Sequence, residues 1–121
     1  MYLTYPQLNS VLILGKPVEQ WIGSSKQPDF EIITWIRIDR EMNGSYSVSY
    51  FEVFDNGNLD FLDIYEFEPC EPDQPYGLTH SFPTSDQALL FCIEKYNASD
   101  DKYVYGGMVQ EEYRLYLQNK G

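Results

Sequence analysis

Two Asn-Gly pairs, Asn43-Gly44 and Asn56-Gly57, divide the middle of the chain into three runs rich in apolar and aromatic residues. Asn and Gly accept the positive φ angles of tight hairpin turns, and Val, Ile, Tyr and Phe suit a pleated sheet. The three runs cover residues 30–40, 45–54 and 59–67. This spacing predicts an antiparallel β-meander of three strands at the centre of the fold.

The second strand of this meander is expected to be irregular. Its alternation of polar and apolar residues shifts at Tyr50 and Phe51, which predicts a β-bulge near Tyr50. A two-residue turn at 56–57 would place Tyr65 opposite Val48 and would form one aromatic-rich face across the second and third strands. In the first strand, even-numbered residues 30–38 form the apolar face, which is expected to face the core.

Helical patterns follow the meander. Residues 84–96 begin with a capping-box pattern, Thr84 and Gln87, and continue with apolar residues at helical spacing. A second helix is expected after Gly106-Gly107, where Val109, Tyr113, Tyr116 and Leu117 share one face.

The remaining segments predict short elements. Residues 17–22 predict a short helix with Trp21 pointing inward, and short strands are expected at residues 2–5, 79–82 and 103–105. Three prolines make residues 68–78 an exposed, negative loop. The fold class that follows is α+β: an antiparallel β-meander of three to five strands with two or three helices packed on one face.

At 121 residues the chain fits a single domain, residues 1–121, with a conventional hydrophobic core. No apolar run is long enough to span a bilayer, and the longest aliphatic run, residues 11–14, is too short for a signal peptide. Cytoplasmic residence is therefore expected, with no membrane partner. Cys70 and Cys92 lack the spacing of a metal site or redox pair, and Cys92 is expected in the core.

The net charge of −11 comes entirely from the middle of the chain. No Lys or Arg occurs between Arg40 and Lys95, whereas eleven Asp and Glu residues do. The rest of the chain carries eight acidic and eight basic residues. Because a phosphate backbone is bound by basic surfaces, nucleic acid is not expected as a partner. Such a field would attract a basic protein or a cationic ligand.

Aromatic residues are interleaved with carboxylates in this base-free segment. Rigid aromatic side chains provide contact area at low entropic cost, and surrounding acids would orient a basic partner. The alternative is that the aromatic residues form the core while the acids maintain solubility. The predicted partner-binding residues are Trp35, Tyr50, Glu52, Asp60, Asp63, Tyr65, Glu66, Glu68, Glu71 and Asp73.

Motifs for catalysis or metal binding are weak. His80 is the single histidine, and the chain has no dinucleotide-binding, Walker or nucleophile-elbow motif. Residues 55–66 fail the pattern of a calcium loop at its fifth and sixth positions. Glu68, Glu71 and Asp73 are more simply a solvated acidic loop than a divalent site, so no cofactor or metal is expected.

A helix beginning after Gly106-Gly107 could receive an anion at its N-terminus. Glu111 and Glu112, in the first turn, already occupy that electrostatic field. A simple chain break is therefore the preferred interpretation of the two glycines.

In size, acidity and aromatic content the chain resembles small bacterial immunity proteins, which neutralise basic toxin domains. The resemblance is one of composition and involves no motif. The first hypothesis is a non-enzymatic protein that binds a basic protein partner, in the manner of an immunity protein. The alternative is a small-molecule-binding or catalytic domain with a pocket between sheet and helices, using Asp63, His80 or Tyr50. The chain is expected to be a monomer or a weak homo-oligomer, and an oligomer would bury the mixed face of the sheet.

Overall fold

The computed structural model describes residues 2–73 and 77–120. Part of the predicted loop at 68–78 therefore lies outside the described residues. The elements in chain order are α1 (Tyr5–Ile13), β1 (Val18–Lys26), β2 (Glu31–Arg40), β3 (Tyr46–Phe54), β4 (Leu78–Phe82), α2 (Ser85–Tyr96), β5 (Val104–Tyr105) and α3 (Val109–Lys120).

The strands form one antiparallel sheet in the order β4-β3-β2-β1-β5. Strands β1 to β4 make a meander, and the short β5 returns to pair with the start of β1. With three helices, this architecture confirms the predicted α+β class and the antiparallel meander. The sheet is open, because β4 and β5 end it on opposite sides.

Both faces of the sheet are covered, which differs from the predicted placement of helices on one face. The even-numbered residues of β2, such as Ile36 and Ile38, pack with α1 and α2. The odd-numbered residues Ile33 and Trp35 pack with α3 and with part of the connection after β3. Alternate residues of a strand point to opposite faces, so β2, buried on both sides, reads as an almost continuous apolar run.

The hairpin between β2 and β3 confirms the first Asn-Gly turn. The Gly44 amide donates to the Glu41 carbonyl at 2.9 Å, and the Asn43 side chain accepts from the Ser45 amide at 2.9 Å. Gly44 has φ +87°, a conformation that glycine adopts without steric cost. Local turn chemistry therefore sets the register of the two longest paired strands.

The predicted third meander strand, residues 59–67, is wrong. This segment is irregular apart from one 3-10 turn at Ile64–Glu66, and β4 pairs with β3 in its place. Gly57 has no positive φ; a side chain there would collide with the Phe67 ring and the Tyr113 hydroxyl. This glycine allows close packing, and the chain continues across the sheet face.

Continuous pairing along β3 also shows that the predicted bulge near Tyr50 is wrong. Tyr50 and Phe51 point to opposite faces, and because both faces are covered, both are packed. The irregular register lies instead in β1, between Trp21 and Gly23.

Two predictions near the N-terminus are wrong as well. Residues 2–5 are not a strand: Thr4 begins helix α1 with a capping box in which Thr4 and Gln7 satisfy each other's backbone amides. Residues 17–22 are not a helix, because Val18 starts strand β1. The helical spacing of Val18, Trp21 and Ile22 arises from a strand whose register shifts at Ile22.

The C-terminal half follows the sequence closely. Strand β4, helix α2 with Thr84 as its N-cap, strand β5 and helix α3 all lie where they were predicted. The core face of α3 contains the buried Val109 and Tyr113, with Tyr116 and Leu117 packed beside them. Across residues 2–73 and 77–120, no helix combines the length and apolarity needed to cross a bilayer.

The two thiols are expected to react differently. Cys92 is completely buried, as predicted, and burial raises its pKa to about 11. Cys70 is half-buried; partial burial and the nearby carboxylates of Glu52 and Glu71 raise its pKa less. Because the thiolate is the reactive form, a thiol reagent should titrate Cys70 slowly and Cys92 only after unfolding. Two rapidly reacting thiols in the native protein would contradict this packing of α2.

Candidate functional site

The predicted carboxylates lie mainly on residues 55–73, the described part of the connection between β3 and β4, which we call the acidic connection. Each of the following side chains is exposed, and none pairs with Lys or Arg among the described residues: Asp60, Asp63, Glu66, Glu68, Glu71 and Asp73. Exposed Glu52 on β3 is also unpaired. The structure thus brings most of the predicted acids onto one segment.

Apolar side chains accompany these acids at the surface. Leu59 is 58 % exposed, Phe61 42 % and Tyr65 39 %. Tyr65 was a predicted contact residue, whereas Leu59 and Phe61 were not selected individually. The acidic connection therefore presents a mixture of apolar area and carboxylates to solvent.

Other parts of the acidic connection anchor it to the protein. Ile64 and Phe67 are buried in the cluster that contains Trp35, Val109 and Tyr113. The Glu68 carbonyl accepts from the Phe54 amide, and the Cys70 amide donates to the backbone carbonyl of Glu52. Residues 68–70 therefore extend the sheet beside β3. The segment is irregular but packed along one side.

Trp35 is only 3 % exposed and is not positioned to contact a partner at the surface. Its ring stacks on Phe51, with centroids 4.1 Å apart, and meets Tyr65 edge-on at 5.3 Å. Trp35 therefore packs against the buried side of the Tyr65 ring. The sequence pattern gave no indication of which aromatic rings would be buried.

Tyr50 lies on the opposite face of the sheet from Tyr65. Its ring stacks on Tyr96 of α2, with centroids 4.2 Å apart, and borders a cleft of about 300 Å³. The same cleft is lined by Glu52 and Glu71, with Lys95 on its rim. The structure thus places Tyr50 beside Glu52 and Glu71 on the α2 face of the sheet, away from Tyr65.

A buried carboxylate, which the sequence interpretation did not select, holds the acidic connection in place. Glu19 of β1 is fully buried. Its Oε1 accepts from the Tyr65 hydroxyl at 2.7 Å, the Gly107 amide at 2.9 Å and the Val109 amide at 3.2 Å. Its Oε2 accepts from an Arg37 guanidinium nitrogen at 2.8 Å. One carboxylate therefore joins β1, β2, the acidic connection and the start of α3.

The anion at the N-terminus of α3 is consequently Glu19. The expectation that Glu111 and Glu112 fill this field is incomplete, since Glu111 pairs with Arg114 along the helix surface. A buried carboxylate is stable when paired and fully hydrogen-bonded, and Glu19 receives a charged partner and two backbone amides. Desolvation and the neighbouring Glu19 raise the pKa of Tyr65, so its hydroxyl stays protonated and donates.

Sequence reasoning missed Glu19 because it assigned residues 17–22 to a helix. A charged residue between Val18 and Trp21 in a strand buried on both faces would have been a signal of a buried pair. Gly106-Gly107 was a second indication, because the helix N-terminus that follows it offers backbone amides to an anion.

Asp55 shows how the other end of the acidic connection is fixed. Its carboxylate accepts from the Tyr113 hydroxyl and lies 3.6 Å from the Lys120 ammonium. Desolvation and this carboxylate raise the pKa of Tyr113. Hydrogen bonds at Asp55 and Tyr65 therefore hold the chain on both sides of the exposed stretch 58–63.

The residues of the alternative hypothesis are not brought together. His80 packs against Phe91, with ring centroids 4.9 Å apart, and Asp63 is exposed on the other side of the sheet. Buried side chains form a core on each face of the sheet. A cleft of about 570 Å³ lies between β1 and α3, lined by Trp21 and Tyr116 among others, but His80, Asp63 and Tyr50 do not line it. The mixed face, which an oligomer was expected to bury, packs against α3 and part of the acidic connection.

Metal ligands do not converge in the described part of the chain. Among residues 2–73 and 77–120, no three His, Cys, Asp or Glu side chains are close enough together to hold a metal ion, and this includes Glu68, Glu71 and Asp73. Comparison with known proteins finds no matching family model, no matching curated protein and no matching solved structure.

Neutralising the buried carboxylate should destabilise the protein. Glu19→Gln keeps the size of the side chain but loses the charge pair and turns an amide donor toward Arg37. We expect the free energy of unfolding to fall by about 3 kcal/mol, measured by urea denaturation. Glu66→Gln is the control, since it makes the same change at an exposed, unpaired position and should cost less than about 0.5 kcal/mol. Equal effects would contradict the role of Glu19.

Proposed function

We propose that the protein is a non-enzymatic binding module that recognises a basic protein through the acidic connection. The observation that carries this proposal is the group of six exposed acids on residues 60–73 that form no ion pair with the described residues. Elsewhere Glu19, Glu31, Asp39 and Glu111 have cationic partners, and the acids without an ion pair among the described residues are spread over several elements.

The concentration of unpaired acids on one segment supports an intermolecular role. The like charges of the acidic connection repel one another, which costs stability in the free protein and is relieved by a cationic partner. Such a field raises the association rate of an oppositely charged protein by roughly 10- to 1000-fold at low salt. It also repels the phosphates of nucleic acid.

Exposed apolar side chains supply the second component of an interface. Leu59, Phe61 and Tyr65 lie among the acids, and Tyr65 is held by Trp35 and Glu19. A rigid aromatic surrounded by polar groups is the usual composition of an interface centre. In this proposal the acids steer the partner, and these three side chains contribute the buried contact area.

A toxin domain with a basic surface is the kind of partner that this combination fits. An acidic, folded protein that covers such a surface inhibits by blocking access and needs no catalytic group of its own. This proposal is consistent with the wide separation of His80 and Asp63 in the fold. A cytoplasmic location, where an immunity-type inhibitor would meet its toxin, belongs to the same proposal.

The test is affinity capture with three forms of the tagged protein, each washed at low and at high salt. One variant reverses acids of the acidic connection: Asp60→Lys, Glu66→Lys and Glu71→Lys. The control reverses three exposed acids on other elements: Asp29→Lys, Glu94→Lys and Asp101→Lys. Each triple variant raises the net charge of −11 by six, so overall charge is matched.

We expect a basic protein to be retained by the wild type and the control but released from the first variant. Association with the purified partner should slow at least tenfold in that variant at low salt, and the difference should shrink as salt rises. Equal retention by both variants would show that net charge alone is responsible. Retention of no basic protein by any form would contradict the proposal.

A further inference from the structure

We propose that the outer edge of β4 is a self-association site, at which β4 pairs antiparallel with β4 of a second copy of the chain. The two-fold axis would pass through His80, and the five-stranded sheet would continue into that of the second copy. Strand β4 is a different element from the acidic connection, although Glu71 and Leu78 line the same cleft, and the self-association does not depend on the proposed function.

The outer edge of β4 has no partner strand in the described part of the chain. On its other side, β4 pairs with β3. Leu78, Thr79 and Ser81 are exposed. The opposite edge differs: β5 is two residues long, and the neighbouring Tyr103 carbonyl already accepts from the Leu3 amide.

Strand β4 also lacks the features that protect exposed edges from pairing. Natural sheets block such edges with lysine, proline, a bulge or inward-pointing charge. Leu78–Phe82 contains no Lys, Arg, Asp or Glu and no proline, although Pro83 follows directly after the strand, and β4 pairs with β3 without a bulge. In a chain of net charge −11, an uncharged edge strand is the surface on which a second copy meets the least repulsion.

The order of side chains in β4 suits pairing with itself. In antiparallel pairing about His80, Leu78 faces Phe82 of the second copy, Thr79 faces Ser81, and His80 faces His80. Apolar side chains therefore face apolar side chains, and hydroxyl groups face hydroxyl groups. Both are favourable cross-strand pairs. A closed two-fold interface requires this kind of self-complementary surface.

Helix α2 adds the area that a five-residue strand lacks. An apolar groove of about 610 Å³ runs beside β4, lined by Phe82, Leu90 and Phe91 with Glu94 and Lys95 on its rim. Leu90 is 55 % exposed. A two-fold axis perpendicular to the sheet keeps both copies of α2 on the same face, so the two grooves meet and cover Leu90. Ile64 and Phe67 of the acidic connection pack on the other face.

The test is sedimentation velocity over a range of protein concentrations. The wild type should approach twice the 14.2 kDa of the chain as its concentration rises to about 100 μM. Thr79→Lys with Ser81→Lys places lysines opposite each other across the interface and should weaken association at least about tenfold. The control, Met42→Lys with Gln118→Lys, adds the same charge at exposed sites elsewhere and should still dimerise.

A third variant tests the register. Thr79→Lys with Ser81→Glu places lysine opposite glutamate at both ends of the strand pair and should restore the dimer. Circular dichroism shows whether each variant is folded. A monomeric wild type at 100 μM would overturn the proposal. A dimer that is equally stable in the two-lysine variant would show that the interface lies elsewhere and would overturn it too.

Discussion

The buried carboxylate of Glu19 is the interaction on which the arrangement of this molecule depends. Removing a carboxylate from water costs several kcal/mol, and the cost is offset when charge and hydrogen bonds are supplied by its surroundings. Here they come from Arg37, Tyr65 and the first amides of α3. These groups are distant in sequence, so Glu19 fixes segments that local turns cannot position. Replacing it leaves several donors without an acceptor.

This constraint explains how an irregular segment can present a defined surface. Residues 55–73 have little regular structure. Hydrogen bonds nevertheless join Tyr65 to Glu19, Asp55 to Tyr113, and residues 68–70 to β3. Hydrogen bonds and buried side chains anchor the segment, while its six acids without an ion pair among the described residues are exposed. A preordered surface loses less entropy on binding than a flexible one. The proposed recognition of a basic partner therefore depends on the same buried contact as the fold.

The sequence predicted the elements that local chemistry determines. The Gly44 turn, the Thr84 cap and the apolar face of α3 depend on residues close together in the chain, and each was confirmed. Predictions failed where distant segments decide. Residues 59–67 resemble a strand, but β4 occupies the neighbouring position on β3. The spacing of Val18, Trp21 and Ile22 suits a helix as well as a strand with a shifted register, and only pairing with β2 distinguishes them.

For the candidate site, the acids could be located by composition because no lysine or arginine follows Arg40 until Lys95. Which aromatic residues accompany them could not be predicted. Trp35 is buried beneath Tyr65, and Tyr50 lies on the other face. Glu19 is buried where β1, β2, the acidic connection and the start of α3 come together. No local sequence pattern indicates that contact. Positions whose role is defined only by tertiary contacts are those that sequence reasoning misses.

The most direct test of this account is amide hydrogen exchange in the wild type and in Glu19→Gln, under conditions where both are folded. If Glu19 holds the acidic connection and the start of α3, the opening free energies of amides in residues 61–70 and 107–112 should fall by about 3 kcal/mol, the same loss of global stability that the β2–β3 amides report. Amides that open locally away from Glu19, such as those of residues 41–45 in the β2–β3 turn, should keep their protection. Unchanged exchange in residues 61–70 and 107–112, or an equal loss in residues 41–45, would contradict the central role of this carboxylate.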